Sequence, residues 1–384
     1  MTNPNGSRHA EIAGAGFAGL TAAIALAQRG WSVRVHDRRS MSRSEGYGIT
    51  LQGNGYKVLK ALGLEDAIGR LGMPVIRQER YDQHGRCIAS IPVRSTFRIS
   101  RYAIVQEMVE RARALGVQVL LDSPVAGAAA DGQLILEDGR RLRADLVIGA
   151  DGYRSPVREA LGLLKSHRKL RDCGARTVIQ RRPEDPPFDV KLGGVSREYW
   201  SGSRRLLITP CSPGEMYFTM SCLSSDTEAR RIPIDPSVWK RSFPHLAGMI
   251  DRCVAEAEWD KVMFVEFELI RLSRWYAGKV AILGDAANAM PPNLGQGAGI
   301  AMLNAWALAA HLDEHANAAD ALAAWEAAER PLTEHTQRWS SMYSATTHWP
   351  DFMRALAMGA TARIGWLRRR YQRTALTSPR GLAD

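Results

Sequence analysis

The chain has 384 residues, of which 45% are hydrophobic and 24% are charged. These values are typical of a globular protein of two to three domains, and they exclude a disordered, collagen-like or coiled-coil chain. No apolar run reaches the roughly 20 residues of a membrane helix. The five cysteines are odd in number and lack CxxC spacing. We therefore expect neither a disulfide framework nor a zinc site, and a reducing, cytoplasmic location.

The charge is strongly basic, with 51 Lys and Arg against 40 Asp and Glu and a formal net charge of +11. Such a balance is compatible with nucleic acid, an anionic membrane or small anionic ligands as partners. The basic, partly aromatic segment 363–371 is the best local indication of a membrane surface, but a solvated helix end explains it more simply. We expect no nucleic-acid partner and no stable membrane association.

The first segment alternates strand, helix and strand. The short apolar run 10–13 predicts a strand, and Leu20, Ala23, Ile24 and Ala27 follow at helical spacing. Gly30 ends this helix, and Val33 and Val35 alternate in a second strand that closes at Asp37. This order predicts a βαβ unit.

The rest of the chain indicates two interleaved units and a helical tail. Helices are predicted over 55–62, 65–71, 102–115, 299–312, 319–335 and 353–373, and strands over 76–82, 87–92, 117–121, 146–150 and 279–283. Short strands with Pro- and Gly-bearing turns between 163 and 277 predict a mostly antiparallel sheet. The predicted units are 1–72, 96–162 and 278–340; 73–95 and 163–277; and the tail 341–384.

A glycine-rich turn lies between the first strand and its helix. Gly14, Gly16 and Gly19 fit GxGxxG, with Phe17 and Ala18 between them. In this context the glycines permit a tight turn, close approach of a pyrophosphate, and helix–strand packing. Asp37 is placed to accept from a ribose hydroxyl. The pattern predicts dinucleotide binding, and the neighbouring Arg38 adds little to it.

Two further motifs follow buried strands. The stretch 149–158 contains Asp151 and, taken alone, is explained structurally by Ser155 as an N-cap. The stretch 284–299 begins with Gly284 and Asp285 and leads into a second set of closely spaced glycines. Such a density at a helix start indicates that the backbone must approach a ligand.

In this order and spacing the three motifs resemble the fingerprints of single-component FAD-dependent aromatic hydroxylases of the para-hydroxybenzoate hydroxylase type. The resemblance covers residues 11–338 and implies an α/β (α+β) fold, in which a Rossmann-like FAD-binding domain carries an inserted antiparallel substrate sheet and a helical C-terminal tail. The FAD-binding residues it implies are Gly14, Gly16, Phe17, Ala18, Gly19, Asp37, Arg38, Arg101, Val125, Asp151, Gly284, Asp285, Pro292, Gly295, Gln296, Gly297, Ala298 and Gly299. The loop 46–55 is similar to the family's mobile segment near the flavin.

The same resemblance implies the reaction. NADH or NADPH reduces bound FAD, dioxygen gives a flavin hydroperoxide, and an electron-rich ring is hydroxylated. The family needs no second GxGxxG for the transient nicotinamide, and this chain has none. It also needs no metal, and we predict no metal site.

The nearest resemblance within the family is to oxygenases of hydroxypyridine carboxylates. It implies that the catalytic residues are Arg205, Tyr217 and Pro292, of which Arg205 and Tyr217 contact the substrate. Pro291 is expected to lie beside the substrate, and Gln52 and Gln78 replace aromatic side chains of the pocket. The expected substrate is thus a small aromatic or N-heteroaromatic carboxylate, and whether ring opening follows is open. Monomer and homodimer are both compatible with the sequence.

Three other functions are compatible with parts of this pattern. A flavin-dependent halogenase shares the fold, but its WxWxIP signature is absent from this sequence. A simple NAD-dependent dehydrogenase would not need the second and third motifs. A flavin-dependent halogenase or another flavin oxidoreductase of the same fold remains the alternative.

Overall fold

The computed structural model describes residues 8–40, 48–183, 185, 193–212 and 214–382. The strands within these ranges are β1 His9–Ala13, β2 Ser32–His36, β3 Gly48–Leu51, β4 Met73–Tyr81, β5 Cys87–Ser100, β6 Gln118–Leu120, β7 Val125–Ala129, β8 Gln133–Leu136, β9 Arg141–Arg143, β10 Leu146–Gly149, β11 Leu164–Gln180, β12 Gly194–Ser201, β13 Arg204–Ser212, β14 Glu215–Leu223, β15 Val265–Leu272, β16 Tyr276–Ala277 and β17 Val280–Ile282. The helices are α1 Phe17–Ala27, α2 Gly53–Ala61, α3 Glu65–Leu71, α4 Arg101–Ala114, α5 Pro156–Ala160, α6 Pro236–Ser242, α7 Ala247–Glu256, α8 Asp285–Asn288, α9 Gly297–Glu314, α10 Ala318–Ala345, α11 Asp351–Arg363 and α12 Gly365–Leu376.

The first sheet has the strand order β16-β17-β10-β1-β2-β6. All neighbours pair in parallel except the edge strand β16. Strand β10 is buried along its whole length, as expected for a central strand covered on both faces. A small sheet of β7, β8 and β9 accompanies it. The parallel strands end at the same edge, which therefore gathers the residues that follow β1, β10 and β17.

A buried carboxylate lies inside this sheet. Glu11 on β1 accepts hydrogen bonds from Arg34 and is within hydrogen-bond distance of His9 and His36. Burial acts to raise the pKa of Glu11, but the His36 and His9 hydrogen bonds and the Arg34 charge outweigh it and lower the pKa to about 2. The ionised carboxylate thus ties the two strands together.

The second sheet has the order β15-β11-β14-β13-β12-β4-β5-β3 and is antiparallel apart from the β12–β4 pair. One face packs on α6 and α7 through an apolar cluster that includes Phe218, Trp239 and Ile250. Because side chains alternate along a strand, the intervening residues of β13 and β14 lie on the opposite face. That opposite face, which carries Arg205 and Tyr217, is called the polar face below.

The C-terminal helices close part of the second sheet. Tyr343 of α10 and Met358 of α11 share an apolar cluster with Ile91 and Trp200 of the sheet. The prediction of one helix over 353–373 is wrong, because Ile364 adopts an extended conformation and α12 begins at Gly365. Helix α10 also continues ten residues beyond its predicted end at 335. Among the described residues, no helix combines the length and apolar character needed to cross a membrane.

The predicted fold class is confirmed, with differences at element boundaries. The loop predicted over 46–55 falls partly on 41–47, outside the described residues, and its remainder forms β3 and the start of α2. Strand β5 runs well beyond its predicted end at 92 and crosses the predicted boundary at 95/96. The domain ranges stay a prediction. All five cysteines are free thiols.

Candidate flavin and substrate site

The glycine turn after β1 has one open position and two crowded ones. Gly14 has φ +100°, and a Cβ there would lie 2.3 Å from the carbonyl oxygen of Ala150. A Cβ on Gly19 would lie 1.9 Å from the carbonyl oxygen of Gly14. A Cβ on Gly16 would meet no atom within 4 Å. Gly14 and Gly19 thus serve packing, whereas the space beside Gly16, at the N-terminus of α1, is free for a phosphate.

Asp37 closes this turn from the end of β2. Its carboxylate accepts from the Ala15 N–H at 2.8 Å and from the Arg39 N–H at 2.9 Å. The Asp37 carbonyl accepts from Ser123 N–H, which brings the start of β7, at Val125, to the same edge. Arg38 is exposed. The acid therefore has the position predicted for it, with its side chain already engaged by the turn.

The second motif joins the first sheet to the third motif. Ser155 caps α5 as predicted, accepting from the Arg158 N–H at 2.9 Å. The buried Arg158 guanidinium donates to the carbonyls of Tyr153 and Ala286, each at 3.0 Å. Asp151 accepts from the Val157 N–H, while its Oδ1 is buried with no hydrogen-bond partner among the described residues. Burial raises the pKa of Asp151.

The third motif begins against the first. Gly284 has φ +60°, and a Cβ there would lie 2.9 Å from the Cβ of Ala18. The Asp285 side chain is accessible to solvent but is surrounded by protein on its other sides. This partial desolvation raises the pKa of Asp285, and the positive charge of Arg101 only partly opposes it. The Arg101 guanidinium lies 5.8 Å from the centre of the Phe17 ring. Residues predicted from three separate motifs therefore meet in one cleft.

The loop before α9 is held by the residues that follow β3. Gln52 donates to the Leu294 carbonyl at 2.7 Å, and Asn54 donates to Gln296 Oε1 at 3.0 Å. Gly295 has φ +63°, and a Cβ on Gly299 would lie 2.9 Å from the Asn54 amide. Gly297 and Ala298 open α9, Pro292 is exposed, and the buried Pro291 accepts through its carbonyl from Ser340 at 2.5 Å. Gln52 thus braces the glycine loop; its predicted contact with substrate stays a prediction.

These residues fit a bound FAD. The open space at Gly16 and the helix N-terminus suit a pyrophosphate. The unpaired Asp151 Oδ1 and the accessible Asp285 carboxylate are acceptors for hydroxyl groups of the cofactor. The glycine loop leaves its backbone open to a flat ring system.

The polar face holds the two predicted substrate residues. Arg205 is almost fully buried, with its guanidinium 3.2 Å from the Glu198 carboxylate and 5.2 Å from the centre of the Trp200 ring. Tyr217 is buried one strand away and would touch a Cβ added to Gly48. Gln78 is half-buried on β4, directly opposite Ser196 of β12.

Sequence reasoning missed several polar residues on this face. Arg98 of β5 is 5% exposed, with its guanidinium 5.4 Å from the centre of the Tyr217 ring, and it donates to Ser196 Oγ at 3.4 Å. The hydroxyls of Thr209 and Thr219 are buried with no hydrogen-bond partner among the described residues. Only the register of the strands brings these side chains to one place.

The polar face and the flavin cleft are neighbours. Gly48 begins β3 beside Tyr217, and Gln52, four residues on, bonds the Leu294 carbonyl. A strand of that length spans roughly 13 Å. Leu294 also shares an apolar cluster with Trp200, against which Arg205 packs. A ring bound on this face would therefore lie beside the glycine loop.

Comparison with known proteins agrees with this geometry. Residues 9–340 match the family described as FAD binding domain. The chain is 37% identical over 381 residues to a putative 2-heptyl-3-hydroxy-4(1H)-quinolone synthase of Rhodococcus erythropolis, covering 98% of each chain. A 2-heptyl-3-hydroxy-4(1H)-quinolone synthase of Mycobacteroides abscessus is 37% identical over 374 residues, covering 93% of this chain and 95% of the relative. A crystal structure of 2-methyl-3-hydroxypyridine-5-carboxylic acid oxygenase has a TM-score of 0.84 at 33% identity, covering 97% of each chain.

The fold and the cleft define a flavoprotein monooxygenase. The chain belongs to the FAD-dependent aromatic hydroxylase family. This confirms the predicted family, enzyme class and cofactor, with NAD(P)H and dioxygen as the co-substrates typical of the family. The roles of individual site residues stay predictions.

Proposed function

We propose that this protein hydroxylates an electron-rich N-heteroaromatic ring of the hydroxypyridine carboxylate type. The observation that carries the proposal is the polar face beside the glycine loop. A buried sheet surface that presents arginine, tyrosine, glutamine and unpaired hydroxyl groups is costly unless a polar ligand satisfies it. An apolar substrate would leave those groups unpaired.

The protein residues have distinct tasks in this proposal. The FAD supplies the oxygen-transfer chemistry when it is bound, using NADH or NADPH and dioxygen. Tyr217 and Gln78 orient polar substituents of the ring through hydrogen bonds. The buried arginines of the polar face support negative charge on the substrate. The second sheet and helices α10–α12 exclude water from the ring.

A 3-hydroxylation of an alkylquinolone is the second candidate. It is favoured by the two relatives at 37% identity, whose names specify a 2-heptyl-3-hydroxy-4(1H)-quinolone. Hydroxypyridines and 4-quinolones share a nitrogen heterocycle with an oxygen substituent, so both match the polar face. They differ in the charged carboxylate of one and the heptyl chain of the other.

Substrate-stimulated oxidation of NADH and NADPH tests both candidates. Purified, FAD-loaded protein is mixed in parallel with 2-methyl-3-hydroxypyridine-5-carboxylate, 3-hydroxybenzoate and 2-heptyl-4-quinolone, and the products are identified by mass. A product heavier by one oxygen atom, or by two oxygen and two hydrogen atoms where ring opening follows, supports the proposal if it arises from a hydroxypyridine acid. A product from the quinolone alone selects the second candidate. If none of the three compounds stimulates oxidation of NADH or NADPH, both candidate functions are contradicted.

A further inference from the structure

Arg98 is a buried guanidinium whose hydrogen-bonding capacity is incompletely used. Its Nε is buried with no partner among the described residues, and one terminal nitrogen makes a long 3.4 Å bond to Ser196. Burial lowers the pKa of Arg98, opposed by the nearby Tyr217, Cys211 and Glu198. A cation in this situation is destabilising unless an anion pairs with it.

The charges around Arg98 do not balance. Glu198 lies 3.4 Å from Arg80 and 3.2 Å from Arg205, and its charge also acts on Arg98. Arg80 and Arg205 thus share this one carboxylate among the described residues, so Glu198 alone does not balance the charge of the three guanidinium groups. Arg176 adds a further unfavourable charge at Arg98.

Arg205 is less available than Arg98 for a ligand. It is engaged by the Glu198 carboxylate, by the Ser221 hydroxyl at 3.3 Å and by the Trp200 ring. Arg80 is likewise engaged, donating to Tyr343 and Tyr371 at 2.7 Å each. These partners fix both side chains in place. Among the three, Arg98 is the one with a buried, unpaired donor.

Further unpaired donors lie on the same face. Thr209 is directly opposite Tyr217, and Leu207 is directly opposite Thr219. Both threonine hydroxyls are buried without a partner among the described residues. Since Arg98 lies over the Tyr217 ring, its guanidinium and the Thr209 hydroxyl flank the same tyrosine.

We propose that Arg98 binds the carboxylate of the ring substrate, and that Arg205 is a positioning residue held by Glu198. The inference rests on the proposed function, and it assigns the acidic part of the substrate to a residue that the sequence did not indicate. A carboxylate pairs with the buried Nε of Arg98 and compensates the excess positive charge. Selectivity for an acid over its neutral analogue follows.

The test compares two ligands of nearly the same shape, one charged and one neutral. Dissociation constants of 2-methyl-3-hydroxypyridine-5-carboxylate and its carboxamide are measured on the oxidised FAD-loaded enzyme, from the change in flavin absorbance or by calorimetry. Arg98→Gln and the charge-keeping Arg98→Lys are compared with Arg94→Gln, which removes an exposed arginine from the same strand. FAD content and thermal unfolding report whether each variant is folded.

Wild-type protein is expected to bind the acid at least about tenfold more tightly than the amide. Arg98→Gln should weaken binding of the acid by about 10- to 100-fold, the range for hydrogen bonds to a charged group, and leave the amide nearly unchanged. Arg98→Lys should retain part of the preference, and Arg94→Gln all of it. Equal losses for acid and amide in Arg98→Gln would show a structural role and overturn the inference.

If the variants do not fold, the wild-type protein still provides a test through the ratio of its dissociation constants for the amide and the acid. A ratio near one, or failure to bind either ligand, overturns the inference. Turnover of the amide or of 2-heptyl-4-quinolone with a ratio near one would refute the role of Arg98 while leaving ring hydroxylation intact. Conversely, a high ratio without any oxygenated product would support the anion site and contradict the proposed function.

Discussion

Alanine substitutions at Gly16 and Gly19 should separate the space kept for a cofactor from the space needed for packing. A Cβ on Gly16 meets nothing within 4 Å, and the residue has φ −88°, which alanine adopts without strain. A Cβ on Gly19 lies 1.9 Å from the carbonyl oxygen of Gly14, so the backbone must move. Gly16→Ala should therefore fold normally but bind FAD poorly, whereas Gly19→Ala should be unstable even without FAD.

The magnitudes follow from these contacts. In Gly16→Ala the unfolding free energy of the apoprotein should fall by about 1 kcal/mol, because alanine is a poorer N-cap residue than glycine but makes no steric overlap here. The added methyl displaces a pyrophosphate from N–H groups, and losing one charge-assisted hydrogen bond weakens FAD binding about 10- to 100-fold. Gly19→Ala should destabilise the apoprotein by about 3 kcal/mol or more, since a backbone overlap must be relieved.

Two measurements check this contrast. Urea unfolding of the apoproteins gives stability, and FAD titration followed by quenching of flavin fluorescence gives affinity. Gly248→Ala is a matched control, because it also adds a methyl group where no atom lies within 4 Å, but on α7. Wild-type FAD affinity in Gly16→Ala would refute the placement of the pyrophosphate, and a stable Gly19→Ala apoprotein would refute the packing argument.

Three further predictions concern single side chains. Arg158→Met should lower apoprotein stability by about 2 to 4 kcal/mol and increase the loss of FAD on dialysis, because the Ala286 carbonyl loses its buried donor. The control is Arg154→Gln, which replaces an exposed arginine of the same motif. The pKa of Glu11 is about 2 in the folded chain against 4.5 in the reference state, so its roughly 3 kcal/mol of stability is present above pH 4.5 and lost as the pH falls towards 2. Urea unfolding between pH 7 and pH 3 should show a weaker pH dependence in Glu11→Gln, and an unchanged slope would contradict this. Arg205→Ala should raise KM for the acid about tenfold with a smaller change in kcat; an unchanged KM removes it from the pocket.

The FAD cleft could be predicted from sequence because its determinants are local. A positive φ at Gly14 and a strand–turn–helix around Gly16 are properties of a few consecutive residues, and their spacing survives in the fold. The same is true of Ser155, whose side chain caps the helix that it precedes. Each of these positions follows from the nearby chain alone.

The polar face could not be predicted in the same way. Arg98 lies beyond the predicted end of β5, and its burial depends on the bulged pairing of β5 with β4 and on the neighbouring strand β12. An arginine or threonine on a strand is normally solvated, so Thr209 and Arg98 carry no local sign of burial. The covering helices α10 and α11 were also predicted with wrong boundaries. Strand register and the covering of a sheet by helices are tertiary properties that the local sequence does not encode. Arg205 was therefore indicated only by the family resemblance, and Arg98 was not indicated at all.

The overall charge of +11 is a poor guide to the site, and salt dependence can show this. The excess charge that matters is the local one around Arg98, where Glu198 is shared by several buried guanidinium groups. Dissolved salt strongly weakens interactions between exposed charges but weakens those of buried ion pairs only slightly. Raising the salt from about 0.05 to 0.5 M should therefore slow association of the anionic acid while keeping most of its affinity advantage over the amide. Stopped-flow mixing yields the rate constants and titration the affinities. Loss of the advantage at high salt would place the selective charge on the surface rather than at Arg98.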